Sequence, residues 1–352
     1  MEMGTDKKLI FVSPKLSGFT KTDLDILNKE FLVKTNIYNW ENKIYVPLFL
    51  IHQFIFLLLN IKSTDKIVIE FAGYWSLLPC AIGRLFDVPT VIISHGTDCA
   101  YLPSIKYGGF GKKYLKTFIK KSYTYTNLIC PVSESLIKVE NLYNGNNSEK
   151  HQGILSFIPQ LKTPFKIIHN GLNIDFWSIK NTKKQLNSFL AVFSQKQFLL
   201  KGGDLIIETA KRFPEYMFTI VGTEKPNSEN IPINVKFLGH ISKEKLKVEY
   251  QKSEFYFQLS IFEGFGLSLC EAMLNECIPI GSSVNMIPEI IGESGGILQN
   301  RDADKLESLI KKLTLLNQDE KNELAIKARE SITSRFKLSD RENKLLKTVR
   351  KL

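Results

Sequence analysis

The chain has 352 residues, of which 43% are hydrophobic and 24% charged, so it is long enough for two globular domains with separate cores. A formal net charge of +11 favours contact with an anionic partner. The five cysteines form no CxxC pair and no Cys/His cluster, which argues against a disulfide framework and indicates buried, reduced thiols in the cytosol.

The first half of the chain alternates short β-rich runs with helical patterns. Strands are predicted at 9–13, 32–37, 66–71, 90–94, 128–132 and 165–168, with helices between most of them. The first of these runs is too short for the core of a signal peptide, so we expect a cytoplasmic protein. The longest apolar stretch, from Tyr45 to Ile61, falls short of the roughly 20 residues that cross a bilayer and is predicted to be a buried amphipathic helix.

The second half repeats this alternation, with strands predicted at 189–193, 217–221, 235–238, 255–259, 278–281 and 296–298. Strands separated by helices are typical of parallel, doubly wound sheets, so we predict an α/β protein made of two Rossmann-like domains. The polar turn from His169 to Asn173 marks the junction between a first domain, 1–169, and a second domain, 170–338. Because ligands bind outside the carboxyl ends of such strands, we expect the active site in a cleft that both domains face.

The segment from Ser260 to Ile290 carries the strongest local signal. A buried strand leads into the turn from Glu263 to Gly266, and the apolar spacing after the turn predicts a helix. The two glycines allow a ligand close to the backbone, and the first amides of the helix are free to bind an anion such as a diphosphate. Glu263 and Glu271 place carboxylates on either side of this helix start. Taken singly, each residue fits a tight turn or a solvated helix face better than a ligand contact.

Taken together, the segment resembles the signature of glycosyltransferase family 4, the retaining transferases of GT-B fold, in which two glutamates separated by seven residues flank a Gly-Phe-Gly turn. The resemblance implies a GT-B fold, a nucleoside diphosphate sugar bound to the second domain, no cofactor, and a final helix, 339–352, that returns to the first domain. It assigns ribose binding to Glu271 and contact with the transferred sugar to Glu263. The implied donor-binding residues of this segment are Glu263, Gly264, Phe265, Gly266, Leu267, Ser268 and Glu271.

A second group of donor contacts is implied in the loop after the strand predicted at 189–193. The family has an arginine five or six residues before the lysine of a Lys-Gly motif, and both cations neutralise the diphosphate. Lys201 matches that lysine, whereas Lys196 or its neighbour Gln195 stands where the arginine is expected. Lysine lacks the bidentate fork of arginine, so Lys196 would contribute charge alone. An exposed lysine pair on a loop is the alternative interpretation.

Two residues of the first domain complete the implied site. His95 ends a β-branched strand in a His-Gly-Thr-Asp turn, and in similar transferases such a histidine contacts the transferred sugar. We therefore expect His95, Glu263 and Lys201 to be catalytic. Gly18 follows the first strand, where glycine amides of the family approach the donor phosphate, although a plain turn explains Gly18 equally well.

No metal site is predicted. The triplets Asp23–Asp25 and Asp302–Asp304 lie inside an apparent helix and at a helix start, whereas a metal-ligand loop should follow an apolar strand. Both are interpreted as structural, and stabilisation of the anion is assigned to the helix dipole and the lysines.

Six lysines and no acidic residue lie between Cys99 and Ser133. Five of them, on the side opposite an apolar helix face, resemble an interfacial helix that would hold the protein on the inner face of the plasma membrane. A surface helix packed on its own sheet is the equally weighted alternative. The five lysines are Lys112, Lys113, Lys116, Lys120 and Lys121.

The leading hypothesis is a retaining glycosyltransferase that moves a hexose-like unit from a UDP- or GDP-linked sugar to a hydroxyl of a glycan or lipid-linked envelope precursor. A nucleotide-sugar 2-epimerase has a similar fold, but the spacing of Glu263 and Glu271 disfavours it. A basic nucleic-acid-binding protein is the non-enzymatic alternative. No helix-turn-helix, zinc-finger or RNA-binding signature supports a nucleic-acid partner.

Overall fold

The computed structural model describes residues 7–16, 18–40, 42–177, 183–226 and 230–352. The chain divides into two compact units. Unit 1 comprises Met1–Glu140, His151–Gly171 and Ser339–Leu352, and unit 2 comprises Asn141–Lys150 and Leu172–Leu338. The sequence analysis placed 141–150 in the first domain, but this segment packs with unit 2, where the Asn141 side-chain amide donates to the Ile261 carbonyl at 2.6 Å.

Unit 1 is built on a parallel sheet in the order β2-β1-β3-β4-β5. Right-handed crossovers place α1 on one face of this sheet and α2, α3 and α4 together on the other. The strands are β1 (Lys8–Ser13), β2 (Leu32–Ile37), β3 (Lys66–Glu70), β4 (Thr90–Ser94) and β5 (Leu128–Pro131), with a small hairpin of β6 (Val139–Glu140) and β7 (His151–Gln152). The helices are α1 (Gly18–Leu27), α2 (Val46–Asn60), α3 (Leu77–Leu85), α4 (Lys113–Tyr125), the single turn α5 (Ile154–Phe157) and, at the C-terminus, α12 (Leu338–Lys351).

The strand predicted at 165–168 is absent among the described residues of unit 1. This segment runs beside β5 but makes only an isolated bridge between Phe165 and Ile129. Pro131 in the facing strand has no N–H and cannot donate the next ladder hydrogen bond. The prediction of a sixth strand was therefore wrong for a reason that lies in the partner strand.

Helix α2 corrects a second prediction, because it is not buried. Only Gln53 and Leu57 of its 15 residues are buried. The Gln53 amide donates to Asn36 Oδ1 at 2.8 Å and to the Trp75 carbonyl at 3.0 Å, so a polar group faces the protein while apolar side chains face outward. Together with the following 3-10 turn, the helical stretch Val46–Ser63 is long and apolar enough to cross a membrane, and 17% of it is buried.

Unit 2 is built on a six-stranded parallel sheet in the order β10-β9-β8-β11-β12-β13. Its core is aromatic: Phe189 stacks on Phe218, Phe255 and Phe257 with ring centroids 4.8–5.1 Å apart. The strands are β8 (Gln185–Val192), β9 (Met217–Val221), β10 (Val235–Phe237), β11 (Ser253–Gln258), β12 (Ile278–Ser282) and β13 (Gly296–Leu298). The helices are α6 (Gly203–Arg212), α7 (Lys243–Lys252), α8 (Leu267–Leu274), α9 (Ile287–Ile291), α10 (Ala303–Thr314) and α11 (Gln318–Arg335).

Several local predictions are confirmed. All five cysteines are buried and unpaired. Asp23 lies inside α1, and Asp302 caps α10 by accepting from the Lys305 amide at 2.9 Å. Asp23 and Asp302 therefore lie inside a helix and at a helix start, as the sequence indicated.

Candidate functional site

In unit 2 the candidate site lies where the order of the strands reverses. Strands β8 and β11 are neighbours in the sheet, yet β9 and β10 intervene in the chain, and such a switch point opens a crevice at the carboxyl ends of the strands. The loop after β8 and the turn after β11 are joined there by a hydrogen bond from the Ile261 amide to the Leu200 carbonyl at 2.8 Å. Two loops that are distant in the sequence are thereby held side by side.

The turn after β11 needs glycine where it enters α8. Gly266 has φ 105°, a conformation that side chains rarely adopt, and it forms the N-cap of α8. The amides that follow, of Leu267 and Ser268, belong to the first helical turn and have no intrahelical acceptor. Leu267 and Ser268 are half-buried, and the helix start combines amides that lack an intrahelical acceptor with the positive end of a helix dipole.

Lys201 and Glu263 meet at this point, which the sequence did not predict. The Lys201 ammonium donates to Oε2 of Glu263, and the two side chains are only 15% and 11% exposed. The loop that carries Lys201 comes close to the end of the β11 segment at Gly202. A Cβ at this position would lie 2.6 Å from the Leu259 carbonyl oxygen, so the approach of the two backbones requires glycine. An ammonium has three N–H donors, so Lys201 retains donors for a ligand oxygen beside Glu263.

Three further polar side chains hold Glu263, and none of them was predicted from the sequence. Gln258 donates to Oε2 at 2.5 Å, Ser260 approaches the same oxygen at 3.3 Å, and Asn285 accepts from the Glu263 amide at 3.0 Å. The Gly264 amide lies 3.1 Å from Oε1. The carboxylate is therefore rigidly oriented. The available signal was Gln258 and Ser260, two polar residues that follow the apolar run 255–257 at the end of β11.

Glu271 lies one turn into α8 and is held by a tyrosine. The Tyr250 hydroxyl donates to its Oε2 at 3.2 Å. Burial raises the pKa of Glu271 to about 7, and the Lys243 ammonium and the Tyr250 hydrogen bond only partly offset that effect. The side chain therefore changes charge near neutral pH.

The other predicted donor-binding residues differ in what they offer a ligand. Lys196 and Gln195 are exposed in a 3-10 turn, Gln195–Gln197. Phe265 is 2% exposed and packs edge-on against Phe336 with ring centroids 5.1 Å apart, so its side chain belongs to the core. Gly264 is buried as well.

In unit 1 His95 follows β4 and is enclosed by side chains of α1, of the end of β3 and of the residue after β3. Its Nε2 lies 2.6 Å from Oε2 of Glu70, the last residue of β3. The imidazole ring packs against Phe19 and Phe71, with centroid distances of 4.6 and 4.5 Å, and the two phenyl rings lie 5.9 Å from each other. Phe71 adopts φ 58°, an unusual conformation for a non-glycine residue and typical of residues at functional sites. The imidazole is thus fixed, and among the described residues no hydrogen bond reaches its Nδ1.

The loop that carries His95 is held by Asp98. Its carboxylate accepts from the amides of Gly96 at 3.1 Å and Ala72 at 2.9 Å, and from the buried Tyr123 hydroxyl at 2.8 Å. The fourth residue of the His-Gly-Thr-Asp turn therefore has an organising role. Gly18 is exposed at the start of α1.

Burial favours the neutral forms of both Glu70 and His95. Burial and the nearby Asp23 carboxylate raise the pKa of Glu70 well above its usual value. Burial and the Arg341 guanidinium lower the pKa of His95 well below its usual value. A protonated Glu70 then donates to Nε2, which leaves Nδ1 with the ring proton and makes it a hydrogen-bond donor.

Asp23, Glu70 and His95 place one potential ligand atom each within 4.8 Å of one another, a proximity that the sequence did not predict. Arg341 occupies the Asp23 side of this cluster with a bidentate ion pair, one contact of which measures 2.6 Å. A guanidinium at that position repels a cation. We therefore interpret the cluster as a hydrogen-bonded network.

The ¹⁵N spectrum of the imidazole is expected to show His95 as the neutral Nδ1–H tautomer at neutral pH. Burial opposes a charged ring, and the Glu70 carboxyl occupies Nε2. His95→Ala identifies the signal among the five histidines. A Glu70→Leu variant should lose the tautomer preference. An imidazolium signal for His95 near neutral pH would contradict this charge assignment.

Comparison with known proteins agrees with the geometry. Residues 176–331 match the family described as glycosyl transferases group 1. The chain is 26% identical over 162 residues to the GDP-mannose:cellobiosyl-diphosphopolyprenol alpha-mannosyltransferase of Xanthomonas oryzae pv. oryzae, an alignment that covers 41% of this chain and 43% of that protein. It is 31% identical over 91 residues to the Escherichia coli O-antigen chain mannosyltransferase B, covering 26% and 23%. The chain thus spans less than half the length of these curated relatives.

Solved structures resemble the whole chain at low sequence identity. The Anabaena protein HepE in complex with UDP superposes with a TM-score of 0.74 over 98% of this chain and 100% of that protein, at 14% identity. Sucrose-phosphate synthase from Thermosynechococcus elongatus gives a TM-score of 0.72 over 98% of this chain and 99% of that protein, also at 14% identity. Residues 176–331 therefore match the glycosyl transferases group 1 family, and the fold of the chain is GT-B.

Proposed function

We propose that this protein is a retaining glycosyltransferase that moves a hexose from a nucleoside diphosphate sugar to a hydroxyl of a lipid-linked or polymeric envelope glycan. The observation that carries the proposal is the Lys201–Glu263 pair beside the glycine-capped start of α8, with Glu271 one turn further on. This arrangement places a cation, the first amides of a helix and two carboxylates in one turn, the start of α8 and the adjoining loop. A cation and helix amides suit a diphosphate, and carboxylates suit the hydroxyls of a sugar.

In the proposed reaction, negative charge develops on the diphosphate as the sugar leaves. Lys201 and the first amides of α8 stabilise that charge, with a further contribution from Lys196. The oriented carboxylate of Glu263 accepts hydrogen bonds from the transferred sugar, and Glu271 accepts from the ribose hydroxyls. On the first unit, the Nδ1–H of His95 donates to a sugar oxygen. No protein nucleophile is required, because the departing phosphate can receive the proton of the acceptor hydroxyl.

The proposed substrates follow from the relatives. Two bacterial relatives are named as mannosyltransferases, one of them acting on a diphosphopolyprenol-linked sugar from GDP-mannose. HepE, with a similar fold, has been solved with UDP and UDP-glucose. GDP-mannose is accordingly the first donor to test and UDP-glucose the second, and calorimetry with bare GDP and UDP separates them without an acceptor.

Calorimetry with the bare diphosphate should distinguish the two glutamates. Glu271→Ala is expected to weaken nucleotide binding by about 1.5–3 kcal/mol, roughly 10- to 150-fold, because a charged hydrogen-bond acceptor for the ribose is lost. Glu263→Ala should bind the bare diphosphate almost as wild type does while losing sugar transfer, since its proposed contact is with the sugar. Equal losses of affinity in both variants would show that these roles are misassigned.

The pH dependence of the same titration provides a second readout. The pKa of Glu271 is raised to about 7, so the carboxylate form, the better acceptor, increases as the pH rises from 6 to 8. Nucleotide affinity should rise with it, and Glu271→Gln should remove this component while the ionisation of the terminal phosphate remains. EDTA in all samples should change nothing if the site is metal-independent. A requirement for manganese or magnesium would contradict the proposed charge stabilisation by lysine and helix amides.

A further inference from the structure

Helix α2 presents a continuous apolar face that no part of the described chain covers. Its 15 residues include no charged side chain. The exposed apolar residues recur every three or four positions, so they lie along one side of the helix. They are Leu48, Ile51, Phe54, Ile55, Leu58 and Leu59, with Leu59 79% exposed. An apolar surface of this size on a folded protein marks an interaction site.

The helix cannot cross a bilayer while unit 1 is folded. The strand before it, β2, and the strand after it, β3, both pair in parallel with β1. A spanning helix would place these two strands on opposite sides of a membrane. The opposite side of α2 is also tied to the unit through Gln53 and through Asn60, whose side-chain oxygen accepts from the Lys34 ammonium at 2.6 Å. The helix can therefore only lie along a surface.

The same helical layer carries the lysines of α4. Helix α3 packs against α2 on one side and against α4 on the other, so the three helices form one layer over the sheet. At 8–10 Å between neighbouring axes, α2 and α4 lie about 20 Å apart. The lysines of α4 and its N-terminus are exposed, and within the described chain none forms an ion pair with a carboxylate. They are Lys112, Lys113, Lys116, Lys120 and Lys121.

Exposed apolar groups continue between α2 and the lysines. Leu85 and Phe86 project at the end of α3, 76% and 38% exposed, and Tyr114 lies among the lysines with 71% exposure. A surface that combines an apolar helix with unpaired cations matches the boundary between acyl chains and anionic headgroups. A second copy of the chain fits less well, because a two-fold contact through this layer brings the same lysines together.

We propose that the α2–α4 layer is a membrane-docking surface, in which α2 lies in the interface of an anionic bilayer and the α4 lysines contact its headgroups. The apolar face of α2 enters the region below the headgroups, and the lysines select negatively charged lipid. This inference does not depend on the proposed transfer reaction, because its test contains neither donor nor acceptor. A lipid-linked substrate would be presented to the protein at such a surface.

Vesicle flotation tests the proposal with three matched variants of the full chain. Wild type should float with phosphatidylglycerol-containing vesicles at low salt, more weakly with pure phosphatidylcholine, and should be released from the anionic vesicles as salt rises. Replacing Ile51, Ile55 and Leu59 with serine should reduce binding to both lipids more than 10-fold, by a rough estimate from the lost apolar contact. Replacing the five lysines with serine should remove only the preference for anionic lipid.

The control replaces three exposed apolar residues of unit 2, Leu186, Ile233 and Leu315, with serine. It should float as wild type does, because these residues lie outside the layer. All substituted α2 residues are exposed, so no core cavity is created. Wild type that ignores anionic vesicles, or an α2 variant that floats like wild type, would overturn the proposal. The proposal would also be overturned if light scattering showed that wild type is a dimer and that loss of this dimer is the only change in the α2 variant.

A fluorescent probe checks insertion directly. All five native cysteines are buried, so a cysteine introduced at Ile55 can be labelled selectively with an environment-sensitive dye. Its emission should shift to the blue on addition of anionic vesicles. The same dye at Ile326, an exposed position in α11, should show no shift. An unchanged spectrum at Ile55 with vesicles bound would show that another surface makes the contact.

Discussion

Replacing Lys201 with alanine is expected to lower the rate of sugar transfer by roughly 100- to 1000-fold, the usual cost of removing one preorganised group that stabilises transition-state charge. Lys201 is the cation beside the start of α8, and its side chain is only 15% exposed, so little water replaces it. Release of the nucleoside diphosphate from the donor, measured with saturating donor, reports this loss. Lys201→Arg keeps the charge and should retain more activity than Lys201→Ala.

A double variant separates two explanations of that loss. Lys201 also forms an ion pair with Glu263, so its removal leaves a largely buried carboxylate without its cation. If Lys201 served only to neutralise Glu263, then Lys201→Met combined with Glu263→Gln would recover most of the activity, because the pair would be replaced by neutral groups. We expect the double variant to remain inactive, since neither the diphosphate nor the sugar regains its contact. Recovery would refute the proposed role at the leaving group.

Replacing Arg341 with leucine is expected to destabilise unit 1 by about 3–5 kcal/mol, the cost of breaking a buried ion pair from one side. Arg341 on α12 is 3% exposed and Asp23 on α1 is fully buried. The guanidinium also donates to the carbonyls of Ile168 and His169, both at 3.0 Å. Calorimetry should show the melting transition of this unit lowered by roughly 6–20 °C.

Two controls accompany the Arg341 variant. Arg350 on the same helix pairs with Glu30 at the surface, with its side chain 54% exposed, and Arg350→Ala should leave the melting temperature almost unchanged. Combining Arg341→Leu with Asp23→Leu should be less destabilising than Arg341→Leu alone, because no unpaired charge remains buried. A melting temperature unaffected by Arg341→Leu would mean that the pair does not hold α12 on unit 1.

The sequence by itself determined the elements that depend on local pattern. Strands β4 and β9 were predicted with the bounds that the structure has, because β-branched and apolar residues recur between helical segments. The turn from Glu263 to Gly266 was equally readable, since only glycine suits the positive φ at its end. The order of these elements was sufficient to predict two parallel α/β domains.

Local pattern also carried the family resemblance, because the two glutamates, the glycines and the helix start lie within one short segment. Local pattern did not predict which distant residues these side chains contact. Lys201 and Glu263 are 62 positions apart and meet because β8 and β11 are neighbours in the sheet. Arg341 and Asp23 are 318 positions apart and meet because the last helix packs on the first unit. Neither pairing leaves a periodic signal, since only the order of strands and helices brings the side chains together.

The exposure of α2 was decided by tertiary structure as well. The sequence pattern of an apolar helix is the same whether the helix is buried in a core or exposed at the surface. Its burial depends on which side chains meet the neighbouring elements, and here Gln53 and Leu57 take that position while Ile51, Ile55 and Leu59 point away. Hydrophobicity is a property of each residue, whereas burial depends on what packs against that residue. For α2, only the folded unit determines which residues are buried.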